Sequence, residues 1–119
     1  MHTTLRQITF AAALACASSS FAQISDGVVK LGVINDQSGP YAALTGPRSA
    51  LAVRMAVEDM KAQLGDLKVE VLVADHQNKP DVGLTIVKRW FDVDKVDAVL
   101  DIANSAVALG VQSVIKEKN

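Results

Sequence analysis

Few residues in this sequence carry groups capable of chemistry, and those that do sit just after apolar runs. Beyond residue 22 there is one histidine, His76, and no cysteine. His76 stands beside Asp75, so an Asp-His pair is conceivable. Nucleophilic catalysis also needs a positioned nucleophile, and none is evident; a histidine that orders a turn is the favoured reading. No set of His, Cys, Asp and Glu has metal-ligand spacing. No GxGxxG or Walker-type loop follows the first apolar run, so dinucleotide and P-loop chemistry are excluded. Asp36 and Asp101 each follow an apolar run, where paired carboxylates could hold Mg²⁺ in a phospho-acceptor site. Such sites work in the cytosol, and the export signal described below argues against one. Acids that cap turns are the simpler reading.

Two short segments have a joint reading. Ser38-Gly39-Pro40-Tyr41 and Asn104-Ser105-Ala106 both fall at strand ends, the second at the start of a helix. Ser105 offers a hydroxyl. The amides of Ser105, Ala106 and Val107 are expected to point out of the helix N-terminus, which suits a ligand carboxylate. Tyr41 offers an apolar wall with a polar tip. On the bland alternative, Asn104 or Ser105 is only a helix cap and Tyr41 only covers the core. The candidate ligand-binding residues are therefore Ser38, Tyr41, Asn104, Ser105 and Ala106, with no catalytic residue, metal or cofactor.

The elements that must position these groups alternate. Val28–Ile34 is β-branched-rich and of strand length, bounded by Asp26-Gly27 and the Ser-Gly-Pro turn. Thr45-Gly46-Pro47 opens a helix whose apolar stripe is Val53, Val57, Met60 and Leu64, with Gly65 as its stop. Lys68–Ala74 reads as a second strand, running into the polar loop Asp75-His76-Gln77-Asn78. Pro80-Asp81 opens a second helix with Val82, Ile86 and Trp90 on one face. Val96–Leu100 reads as a third strand, and a third helix follows with Val107, Val111 and Val114 as its core face. This β-α-β-α-β-α order predicts an α/β fold, a parallel sheet with flanking helices and right-handed crossovers. The expected strand order is 2-1-3.

The first 22 residues read as a signal for secretion. Arg6 supplies the positive region, Ile8–Ala17 the apolar region, and Ser20 and Ala22 the small residues before a cleavage site. Cleavage is expected between Ala22 and Gln23, with a periplasmic destination. The alternatives are a cytoplasmic N-terminal helix, or a lipoprotein anchored at Cys16, whose preceding Ala13-Leu14-Ala15 places Leu one position off the usual spot. Lys and Arg number 12 against 13 Asp and Glu, and the signal removes one base and no acid. Nothing in this balance suggests nucleic acid or an anionic membrane as partner. The lone cysteine falls inside the signal, so residues 23–119 carry no disulfide. They form one small domain at most.

Taken in order, Leu31-Gly32-Val33, Asp36–Ala42, Gly46-Pro47, Met55–Asp59, Ala74–Asp81 and Asn104-Ser105 resemble the N-terminal part of periplasmic solute-binding proteins of the branched-chain amino-acid/amide type, which serve ABC importers. The resemblance runs over residues 28–119. It implies a type I binding-protein fold of two lobes that close on a ligand between them, and recognition of the closed form by a membrane permease. It implies that Ser105 binds the ligand's carboxylate and that the loop carrying Ser38, Tyr41 and Leu44 lines the cleft. Some members carry a disulfide between the loops after strands two and three; here Asn78 and Asn104 occupy those positions. The solute implied is a small amino acid, organic acid or amide. A sensor domain of the same fold is the alternative, and an exported enzyme, with catalytic groups from further sequence, a third possibility. Because members are well over twice as long, residues 23–119 are expected to be a partial N-terminal lobe lacking its second lobe, with an exposed sheet edge prone to aggregation.

Overall fold

The computed structural model describes residues 27–118; the expected secretion signal, its cleavage site and Cys16 lie outside them. Strand β1 is Val28–Asn35, helix α1 Gly46–Asp59, the single turn α2 Lys61–Leu64, and strand β2 Lys68–Asp75. Helix α3, Pro80–Arg89, leads into a π-helical turn over Trp90–Asp94, followed by strand β3, Ala98–Leu100, and helix α4, Ser105–Lys118. The three strands form one sheet in the order β2-β1-β3. Both pairings are parallel, with Ile34 opposite Ala74 and Gly32 opposite Val99. The alternating order, parallel pairing and central first strand agree with the sequence reading.

Alternation along β1 divides its side chains between two layers. Ile34 faces α3 and α4, where it joins Val87, Trp90, Val96, Val107, Val111 and Val114 in the main core. Each fully buried aliphatic side chain there contributes about 2 kcal/mol. Gly32 lies under Trp90; a Cβ at this position would stand 2.4 Å from the indole ring. The glycine lets a large aromatic lie directly on the strand. Val111 and Val114 of α4 are buried as its spacing predicts.

Three helix and strand expectations need correction. The most buried residues of α3 and the turn after it are Gly83, Val87 and Trp90; Trp90 is buried as expected, whereas Val82 and Ile86 are only half-buried. The reason is contact with α4: Gly83 is so close that a Cβ would meet Val107 Cγ1 at 2.8 Å. The first helix is not continuous, since α1 gives way at Met60 to the separate turn α2. Its apolar stripe is only partly covered: Val53 and Val57 are half-buried, while Met60 is 49% exposed. With Leu31, Val69 and Leu100 these residues line an open apolar groove of about 340 Å³. Finally, β3 begins at Ala98 rather than Val96. The π-helical turn holds Val96 N–H on Trp90 O at 3.0 Å, and Asp97 N–H is paired with Lys30 O at 2.9 Å, before the ladder starts.

Among the described residues, no helix is long and apolar enough to cross a membrane.

Candidate functional site

Parallel pairing brings the C-terminal ends of β1, β2 and β3 to one edge of the sheet, and polar side chains knit that edge together. Asn35, fully buried at the end of β1, donates from Nδ2 to Thr45 O at 3.1 Å and to the Asp101 carboxylate beyond β3. Its own oxygen accepts from Gln37 Nε2. Asp36, also buried, accepts Gly39 N–H at 2.7 Å and Tyr41 N–H at 2.8 Å. The loop after β1 is thereby wrapped around one carboxylate. Gly39 makes this possible, because a Cβ there would stand 2.5 Å from Asp36 Oδ1. Asp36 and Asp101 thus serve as turn and loop acceptors, as the simpler sequence reading held. Among the described residues no group of three or more His, Cys, Asp or Glu could hold a metal ion.

Asp75 at the end of β2 accepts Ser38 Oγ at 2.6 Å, Gln37 N–H at 3.0 Å and Gln77 N–H at 2.7 Å. Burial raises its carboxyl, but these three donors outweigh burial and hold it below its ordinary value of 3.8. The bond ties the first loop to the second. It also turns Ser38 toward Asp75, and Ser38 does not line the depression described below.

His76 makes no catalytic pair with Asp75. It is 1% exposed, and its Nδ1 accepts Asn78 N–H at 2.9 Å, which is the turn-ordering role. Gln77 and Asn78 both adopt left-handed backbone, with φ of 51° and 54°, a conformation Asn tolerates better than most residues. The turn carries Asn78 across to α4, where its Oδ1 accepts from Asn104 Nδ2 at 2.6 Å.

Asn104 is the N-cap of α4. Its Oδ1 accepts Ala106 N–H at 2.9 Å and Val107 N–H at 3.0 Å. This corrects the expectation that those two amides are open to a ligand, because an adjacent side chain satisfies them first. It also commits both ends of the Asn104 amide to the protein. What is left open at this helix end is Ser105: it is exposed, and neither its hydroxyl nor its N–H has a partner among the described residues.

These groups surround a depression of about 550 Å³ lined by Asp36, Tyr41, Leu44, Thr45, His76, Asn78, Ala103, Asn104, Ser105 and Ala106. Four of the five candidate residues, Tyr41, Asn104, Ser105 and Ala106, meet there, and Leu44 joins them. Tyr41 is half-exposed and Leu44 77% exposed, so the mouth has an apolar rim over a polar floor. Asp36, Thr45, His76, Asn78 and Ala103 were not foreseen as lining. The signal for His76 was its position, as the sole histidine after residue 22, directly following a strand of the same sheet.

A profile of the periplasmic binding protein family matches residues 28–119. Among solved structures, a periplasmic binding protein from Burkholderia mallei is 38% identical at a TM-score of 0.72, covering 77% of this chain and 24% of that one. A branched-chain amino acid ABC transporter periplasmic ligand-binding protein from Burkholderia xenovorans is 41% identical at a TM-score of 0.69, covering 76% and 24%. The Streptococcus pneumoniae substrate-binding protein LivJ, solved with isoleucine, shares the fold at 22% identity and a TM-score of 0.66, covering 76% and 26%. The chain thus spans about a quarter of the length of the structures it matches. No curated protein sequence matches it.

Proposed function

The chain belongs to the periplasmic binding protein family, whose members bind solutes without transforming them, and we propose that it contributes one wall of the solute site of an ABC importer's binding component. The proposed solute is a small carboxylate with an apolar body, such as a branched-chain amino acid or an aromatic acid. The proposed partner is a membrane permease, and the proposed location the periplasm, reached through cleavage after Ala22.

One observation carries this reading: the unpartnered Ser105 hydroxyl and N–H at the N-terminus of the 14-residue α4, opening on the depression. The helix end supplies positive potential and the serine supplies two donors, a combination suited to a carboxylate. The volume falls in the usual range for small-molecule sites, roughly 300–1,000 Å³. Tyr41 and Leu44 provide apolar surface beside the donors. The name of the 41%-identical relative, a branched-chain amino acid transporter protein, supports the same class.

The test is calorimetric titration of the whole gene product with L-isoleucine and benzoate, each beside its amide. An acid is expected to bind at least tenfold tighter than its amide, and Ser105→Ala to weaken the acid about tenfold or more, the loss of a hydrogen bond to a charged group. Unchanged affinity in Ser105→Ala would remove the carboxylate assignment.

A further inference from the structure

We propose that His76 is a second solute-contacting residue of this site, donating from Nε2–H to an oxygen of the bound solute. The proposal rests on the reading of the depression as a solute site, and deepens it. His76 Nδ1 accepts the Asn78 N–H at 2.9 Å. A nitrogen that accepts carries no hydrogen, so the hydrogen of the neutral ring sits on Nε2. Nε2 is therefore a donor, yet it is the one buried side-chain nitrogen or oxygen among the described residues with no hydrogen-bond partner.

An unsatisfied buried donor costs free energy, and protein interiors rarely leave one without a use. Elsewhere along this sheet edge Asn35, Asp36, Asp75, Asn78 and Asn104 are each hydrogen-bonded to other protein groups. Ser105, whose hydroxyl and N–H have no partner among the described residues, and His76 come from different strand ends and line the same depression. A neutral N–H donor beside a helix N-terminus favours an acceptor-rich, anionic group over a cationic one. The inferred recognition is of a carboxylate-bearing solute, with His76 reading one oxygen.

Two substitutions separate this role from the turn-ordering one. Asn places an oxygen near the Nδ1 position and has nothing at Nε2; Gln places an N–H near the Nε2 position and has nothing at Nδ1. In the whole gene product, titrated with L-isoleucine and benzoate, His76→Asn is expected to bind the recognised acid about tenfold more weakly. His76→Gln is expected to bind within about threefold of wild type. A long-range ¹H–¹⁵N spectrum is expected to show the Nε2–H resonance shifting when the acid is added. Wild-type affinity in His76→Asn, or weak binding confined to His76→Gln, overturns the proposal and leaves the Ser105 reading standing. Absence of binding to either acid by the wild-type protein overturns both.

Discussion

Asn104 Nδ2 donates to Asn78 Oδ1 at 2.6 Å, joining the loop after β2 to the start of α4 across 26 residues of sequence. The same Asn104 caps α4 through its oxygen. One side-chain amide therefore fixes both the helix end at which Ser105 is presented and the turn that encloses His76. These are the positions where the family resemblance places a disulfide in some members. Here a hydrogen bond spans the same two loops.

Replacing the pair by cysteines tests that equivalence. Asn78→Cys/Asn104→Cys is expected to form a disulfide in oxidising buffer and to raise thermal stability over the reduced form by up to about 3.5 kcal/mol, the loop-closure contribution for a ring of this size. Free thiols quantified after oxidation check whether the bond forms, and melting with and without reductant gives its effect. Persistent free thiols would show that the loops are not held face to face.

Asn104→Ala removes the cap and the cross-loop bond together. A lost N-cap alone costs about 1 kcal/mol, and Asn78 loses a half-buried partner as well. The expected outcome is a thermal midpoint several degrees lower and weaker acid binding, because Ser105 is no longer held at a fixed helix end. Asn104→Asp, which keeps the accepting oxygen and loses the donor, is expected to retain most of the helix-capping effect. Equal melting of Asn104→Ala and wild type would contradict the double role.

Asp75 gives the edge a dependence on acid. Its three donors hold the folded-state carboxyl below its ordinary value, so its stabilising contribution is complete above that ordinary value and is lost as pH falls through the lowered one. Comparison of wild type with Asp75→Asn is therefore expected to show a stability gap at neutral pH that closes below about pH 4. Urea unfolding at a series of pH values measures it. A gap that stayed constant into strong acid would mean that the charge on Asp75 contributes nothing.

Gly32 tests the packing beneath the site. A methyl group there would press on the Trp90 ring at 2.4 Å, and the ring is locked between β1 and the main core. Gly32→Ala is expected to cost about 1–3 kcal/mol through overpacking, with a change in Trp90 fluorescence. An unaltered emission spectrum and midpoint would show that the indole can move aside freely.

The groove between α1, α2 and the sheet predicts how a polypeptide of residues 23–119 behaves by itself. Val53, Val57, Met60 and Leu64 line an apolar surface open to water, and exposed patches of this kind favour association. That polypeptide is expected to bind a hydrophobic dye, to self-associate and to melt over a broad range. A sharp two-state melt without dye binding would count against the expectation.

The fold was legible in the sequence because it depends on periodicity and on short punctuation. β-branched runs of strand length, Pro at helix starts, and valines at 107, 111 and 114 specify elements whose alternation calls for a parallel sheet; that alternation does not by itself put β1 at the centre. Which residues of α3 lie deepest was only partly legible. It depends on Gly83 meeting Val107, a contact between helices more than twenty positions apart in the chain. The break at Met60 was equally hidden, since an apolar stripe is the same whether or not anything covers it.

For the site, local sequence indicated which loops meet. Strand ends of a parallel sheet must share an edge, so Tyr41 and Ser105 were placeable from element order alone. What each polar group does there was decided by tertiary structure, because hydrogen-bond partners are chosen by distance in space. Ser38 is turned to Asp75, two amides of α4 are taken by Asn104, and His76 keeps one nitrogen for Asn78 and leaves the other unpaired. Residue type bounds the donors and acceptors available; only the folded chain determines which of them are satisfied and which remain for a ligand.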